Sequence, residues 1–137
     1  MLIPTIHFAG NCKEVIEFYK QAINAEVLQI AYAKEAPAEF SADLPPNFVM
    51  HSEVKIFGTV VALTDGCETP PTEDNHTFTV FLETTAQVSE TFNKLAEGGK
   101  IIEPLSQQFW AELNGMLTDR FGVNWNICTH SMPTDAK

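Results

Sequence analysis

One pattern constrains this chain more than any other: a strand, a helix and three further strands, followed by the same order again about 75 residues along. Leu2 to Phe8 is short and apolar and stops at Gly10-Asn11, which reads as a strand and a turn. Asn11 then stands as a helix N-cap, with Glu14 placed to complete a capping box. Val15, Phe18, Tyr19, Ala22 and Ile23 recur at the spacing of one helical face, and Asn24 is a left-handed stop. Glu26 to Ala33 returns to strand character. Phe48 to Ile56 and Thr59 to Thr64 are two extended runs joined at Phe57-Gly58, a hairpin. Before them, Lys34 to Asn47 holds three prolines and no periodicity, which predicts a long loop or lid.

The order restarts after Cys67 to Asn75, a turn-rich acidic stretch that reads as a linker. Thr77 to Glu83 alternates as a strand, and Thr85 to Glu97 carries Val88, Thr91, Phe92, Leu95 and Ala96 on one helical face before Gly98-Gly99. Lys100 to Pro104, Phe109 to Leu117 and Val123 to Thr129 supply three more strands. The expected organisation is a single domain over 1–130 with a tail at 131–137. Within it lie module one at 1–66, a linker at 67–76 and module two at 77–130. Two βαβββ units, each with its helix on one sheet face, predict an α+β protein whose curved mixed sheets enclose a cup-shaped cavity.

Composition narrows the partners. A formal net charge of −10 sets up a field that repels polyanions, so neither nucleic acid nor an anionic membrane surface is expected. No stretch approaches the roughly 20 apolar residues of a membrane span, and the N-terminus lacks the basic region of a signal peptide. A cytoplasmic protein is expected. Cys12, Cys67 and Cys128 are odd in number and form no CxxC pair, so no disulfide framework or zinc knuckle follows from them.

The segments FAGNCKEVIEFYKQAINAEV, HSEVKIFGTVVALTD, FNKLAEGGKIIEPL and FWAELNGMLTDRFGVNWNI resemble the PhnB-like family. That family belongs to the vicinal oxygen chelate superfamily, with glyoxalase I, extradiol dioxygenases and the fosfomycin and bleomycin resistance proteins. The resemblance runs from Leu2 to about Thr129 and implies the paired-module, glyoxalase-like fold and a homodimer. It also implies a divalent metal held by His and Glu from several strands, whose open positions polarise substrate oxygens. Carried over position by position, those ligands fall at Pro4, near Phe78, at Asn126, and near Ala62 or Leu63. Proline, phenylalanine and alkyl side chains bind no cation and asparagine binds weakly, so no metal and no other cofactor is expected. Family members are often labelled demethylubiquinone methyltransferases. This chain has no glycine-rich strand-turn-helix to cradle a nucleotide-like cofactor, and it is short for a methyltransferase domain.

Candidate site residues follow from alternation and residue type. His51, Glu53 and Lys55 share one strand face, opposite Ser52, Val54 and Ile56. If the apolar set packs on the helix, His51 and Glu53 point into the cup, as a general base with its orienting carboxylate or as part of a metal site. The alternative is a solvated strand face. Phe109, Trp110 and Trp125 are placed in the second module's sheet, as core or as walls for a planar or apolar ligand. With Ile6 and Phe8 lining the cup, His7 is expected against the helix. Asp119 to Gly122 builds a tight turn, and Arg120 makes a surface ion pair or binds an anion. His76 falls in the linker and His130 after the last strand. The expectation is a protein that binds a small, partly apolar molecule, with a catalyst using His51 and Glu53 as the competing possibility.

Overall fold

The structure is a computed structural model that describes residues 1–66 and 76–130. The expected linker, apart from exposed His76, and the expected tail lie outside the described residues. The chain divides into two compact units, Met1–Pro71 and Thr72–Lys137.

The first unit comprises β1 (Thr5–Phe8), α1 (Cys12–Ile23), β2 (Glu26–Tyr32), α2 (Ala38–Ser41), β3 (Val49–Ile56) and β4 (Thr59–Asp65). Its four-stranded sheet has the order β1-β4-β3-β2, with β1 parallel to β4 and the other pairs antiparallel. The second unit repeats this with β5 (Phe78–Leu82), α3 (Thr85–Ala96), β6 (Lys100–Gln108), β7 (Ala111–Thr118) and β8 (Asn124–Thr129), in the order β5-β8-β7-β6. Here β5 runs parallel to β8, so strand order and direction match element for element. The duplicated α+β architecture is thus present as two βαβββ modules.

Alternation decides which sheet face meets the helix. In the first unit Phe8, Ser52, Val54, Ile56, Val61, Leu63 and Asp65 are buried, as are Val15, Ile16, Tyr19 and Ile23 of α1. In the second, Leu117, Trp125 and Ile127 share a face with Gly115 by register. A Cβ on Gly115 would lie 2.7 Å from the Phe92 ring of α3, so that face is the helix face and only glycine admits the ring. Burying these side chains supplies most of each unit's stability, at roughly 25 cal/mol per Å² of apolar surface.

Several ends differ from expectation. Asn11 is the N-cap of α1, yet its side chain makes no capping bond. The Asp65 carboxylate takes the role instead, accepting from Gly10 N at 2.9 Å and Cys12 N at 3.0 Å, and its second oxygen accepts from Val49 N at 3.0 Å. The reciprocal capping box stands on α3, between Thr84 and Gln87. The Lys34–Asn47 stretch contains a 3-10 turn at Ala33–Glu35 and the short α2, and is pinned by Ala33 N to Phe48 O and Lys34 N to Pro46 O. β6 runs through Pro104 because it is an outer strand, where a missing N–H is tolerated. The hairpin at Phe57-Gly58 has both residues at positive φ (47° and 82°), as a type I′ turn requires.

Burial pushes the Cys12 thiol up to about 12 from about 9, and the Asp65 carboxylate acts in the same direction. The folded chain therefore keeps this proton at alkaline pH values where the unfolded chain has lost it. That contribution to stability is full below about pH 9 and is lost as pH rises to about 12. Between about pH 8 and about pH 10.5, wild-type stability in denaturant titrations is expected to fall more steeply than that of Cys12→Ala. Equal slopes would contradict a buried, proton-retaining thiol.

Candidate functional site

The face of the first sheet turned away from α1 is polar. His51 Nε2–H donates to Glu53 Oε2 at 3.1 Å, with both side chains partly exposed. Glu53 lies beside Ala62 in the β3–β4 ladder. Thr64 lies beside His7, and Thr64 Oγ1 is 3.0 Å from His7 Nδ1. In the neutral tautomer that carries its proton on Nε2, Nδ1 of His51 is an acceptor.

His7 corrects the expectation that it packs against the helix. Phe8 is buried and His7 exposed, so the alternation was right and its phase reversed. The signal that sets the phase is Asp65, paired with Phe8 across the β1–β4 ladder and bonded to the start of α1.

The aromatic candidates separate. Phe109 and Trp110 form the turn between β6 and β7 rather than part of a strand, 88% and 41% exposed, with rings edge to face at 4.8 Å. Trp125 is 3% exposed on the helix face of the second sheet, its ring against Phe78 at 5.6 Å. Its indole N–H donates to Asp119 Oδ2 at 3.0 Å, and Asp119 Oδ1 accepts from Phe121 N and Val123 N. Trp125 therefore helps close the turn into β8 from inside the core, and does not share a surface with Phe109 and Trp110. Arg120 lies within 3.9 Å of the Glu97 carboxylate and bonds its backbone carbonyl, the surface role expected of it. His130 Nε2 is 2.9 Å from Glu83 Oε1, with its ring stacked on Phe81.

The donor set does not fit the superfamily's divalent metal. Pro4 offers only its backbone carbonyl, which accepts from Ala62 N, and Ala62 and Leu63 have alkyl side chains. The Phe78 ring packs on Trp125, and Asn126 offers only an amide. Among the described residues, no three His, Cys, Asp or Glu side chains are grouped to hold a metal ion elsewhere.

Duplicated βαβββ topology of this kind, with one helix to a sheet, defines the glyoxalase-like fold of the vicinal oxygen chelate superfamily. The profile of the family described as 3-demethylubiquinone-9 3-methyltransferase matches residues 1–128, and the chain belongs to that PhnB-like family. It is 34% identical to protein YjdN of Escherichia coli strain K12 over 139 residues, 92% of each chain. Protein PA1353 of Pseudomonas aeruginosa is 26% identical, with a TM-score of 0.80 over 95% of this chain and 97% of that one. A protein of Bacillus cereus titled a putative 3-demethylubiquinone-9 3-methyltransferase, PhnB protein, is 22% identical and shares the fold, with a TM-score of 0.78 over 93% and 98%. Among the described residues, no helix is long and apolar enough to cross a membrane.

The two tryptophans give a direct check of these placements. Acrylamide is expected to quench the emission of a Trp125→Phe variant, which retains Trp110, several-fold more than that of Trp110→Phe, which retains Trp125. Equal quenching of the two would contradict a buried Trp125.

Proposed function

We propose that the protein binds a small, partly apolar molecule, without the divalent metal on which vicinal oxygen chelate chemistry rests. The observation that carries this reading is the donor set: proline, alkyl, phenyl and amide side chains stand where the superfamily places its ligands. Polar recognition is supported by the open face of the first sheet, where His51 with Glu53 and His7 with Thr64 offer donors and acceptors. In the second unit, the Phe109–Trp110 pair offers aromatic surface of the kind that stacks on apolar ligands. Trp125 supports that unit through its bond to Asp119. The family's description names a methyl transfer, yet neither strand-to-helix turn, Ala9-Gly10-Asn11 or Glu83-Thr84, is a glycine-rich cradle, and the reading assigns no such step.

One observation favours a second reading. The His51–Glu53 hydrogen bond gives an imidazole oriented by a carboxylate, the arrangement of a general base. In that reading the protein is an isomerase, lyase or dioxygenase-like catalyst that depends on His51. In both readings the protein is a cytoplasmic homodimer with neither nucleic acid nor membrane as partner, supported by its −10 charge and its family.

A thermal-shift screen of small metabolites in the presence of a chelator tests the choice. At least one compound is expected to raise the melting temperature, and still to raise it, by a smaller amount, in the His51→Ala variant. Stabilisation seen only after Mn, Zn, Ni or Fe is supplied would contradict the metal-free reading, and turnover abolished by His51→Ala would favour the second.

A further inference from the structure

In the second unit, Asn114 and Asn126 stand on the sheet face turned away from α3. Asn114 is 3% exposed, and the side-chain oxygen Oδ1 of each residue is buried with no hydrogen-bonding partner among the described residues. The register makes them diagonal neighbours, since Asn114 lies beside Cys128 and Met116 beside Asn126. Side chains so related on one face have Cβ atoms within about 7–8 Å, so the two carboxamides are near neighbours on that face. Folded proteins leave few buried acceptors without a donor, and two on one face call for an explanation. Their neighbours do not supply one. Thr118 Oγ1 donates to Asn124 Oδ1 at 2.7 Å, and Cys128 Sγ is turned to Val80 O at 3.8 Å.

We propose that Asn114 and Asn126 form an acceptor pair that recognises the N–H donors of a small ligand, a primary carboxamide or a primary ammonium group. The inference rests on the small-molecule-binding reading above and adds the chemistry of the ligand's head group. The unpartnered atoms are oxygens, which only accept, so they are satisfied by N–H donors and not by carboxylate or phosphate. The net charge of −10 acts in the same direction, against anions and for cations. Met116 and Phe81 share this face, beside Asn126 and Cys128 respectively, and offer apolar surface to the ligand's carbon chain. The position that the resemblance assigns to a metal-binding glutamate thus carries an organic-ligand contact in this chain.

The test titrates isotope-labelled protein with four probes: butyramide, butylammonium chloride, N,N-dimethylbutyramide and butyltrimethylammonium chloride. Side-chain amide signals are followed and assigned with Asn114→Leu and Asn126→Leu. Butyramide and butylammonium are expected to shift the signals of both asparagines saturably, and the two N-methylated probes to leave them in place. Each leucine variant is expected to lose the response of the remaining asparagine and to melt no lower than wild type, because an unpaired buried acceptor is replaced by an apolar group of similar size. Equal responses to methylated and unmethylated probes, or no saturable shift with either donor, would overturn the proposal. The four-probe comparison on wild type stands by itself if a leucine variant does not fold. Metal-independent ligand binding without this donor preference would overturn the acceptor pair alone, whereas absence of any metal-independent binding would overturn the reading it rests on.

Discussion

The Asp65 carboxylate holds the first unit in register. It stands at the end of β4, where its two oxygens accept from Gly10, Cys12 and Val49 backbone N–H groups at 2.9–3.0 Å. Those three donors belong to the turn after β1, the first turn of α1 and the start of β3, so one side chain joins four elements. Backbone N–H bonds to a carboxylate are about twice as strong as those to a neutral acceptor. By fixing α1 over one face of the sheet, it also fixes which face remains open. That face carries exposed His7 and His51, half-buried Glu53 and buried Thr64, opposite the helix that Asp65 holds.

The second unit reaches the same topology with different residues. Its buried carboxylate, Asp119, sits before β8 and closes the turn through Phe121 N, Val123 N and the Trp125 indole. Its helix caps itself through Thr84 and Gln87, so nothing at the end of β8 has to replace a missing cap. The repeat therefore lies in strand order and helix placement, which only require apolar side chains on the helix face. The faces turned away from the helices are free to differ, with imidazole and carboxylate on the first sheet and amides on the second.

Much of this was legible in the sequence, because period and punctuation are local. The α1 stripe from Val15 to Ile23, the left-handed Asn24 and the Phe57-Gly58 turn can be read from neighbours a few residues apart. So can the shared face of His51 and Glu53, which the hydrogen bond between them reflects. The phase of β1 was not legible. Period-two alternation fixes His7 opposite Ile6 and Phe8, but which set meets the helix depends on Asp65, 57 residues beyond Phe8. The same limit hid the site of Trp125, whose core position follows from Gly115 admitting Phe92 beneath the sheet. Phe109 and Trp110 looked like strand residues because aromatics favour strands, and the hairpin overrode that preference. Asn126 was visible only as a position where a metal ligand is missing; its buried, unpartnered oxygen requires the fold.

On the proposed reading, this glyoxalase-fold chain recognises its ligand with its own side chains rather than through a bound divalent cation. Elemental analysis of protein purified without chelator and without a metal-affinity tag, beside His51→Ala, tests it most directly. The account expects negligible Zn, Ni, Mn and Fe in both. Near-stoichiometric metal in the wild type that disappears in the variant would contradict it, and would make His51 a ligand in a metal site that the donor set described above does not provide.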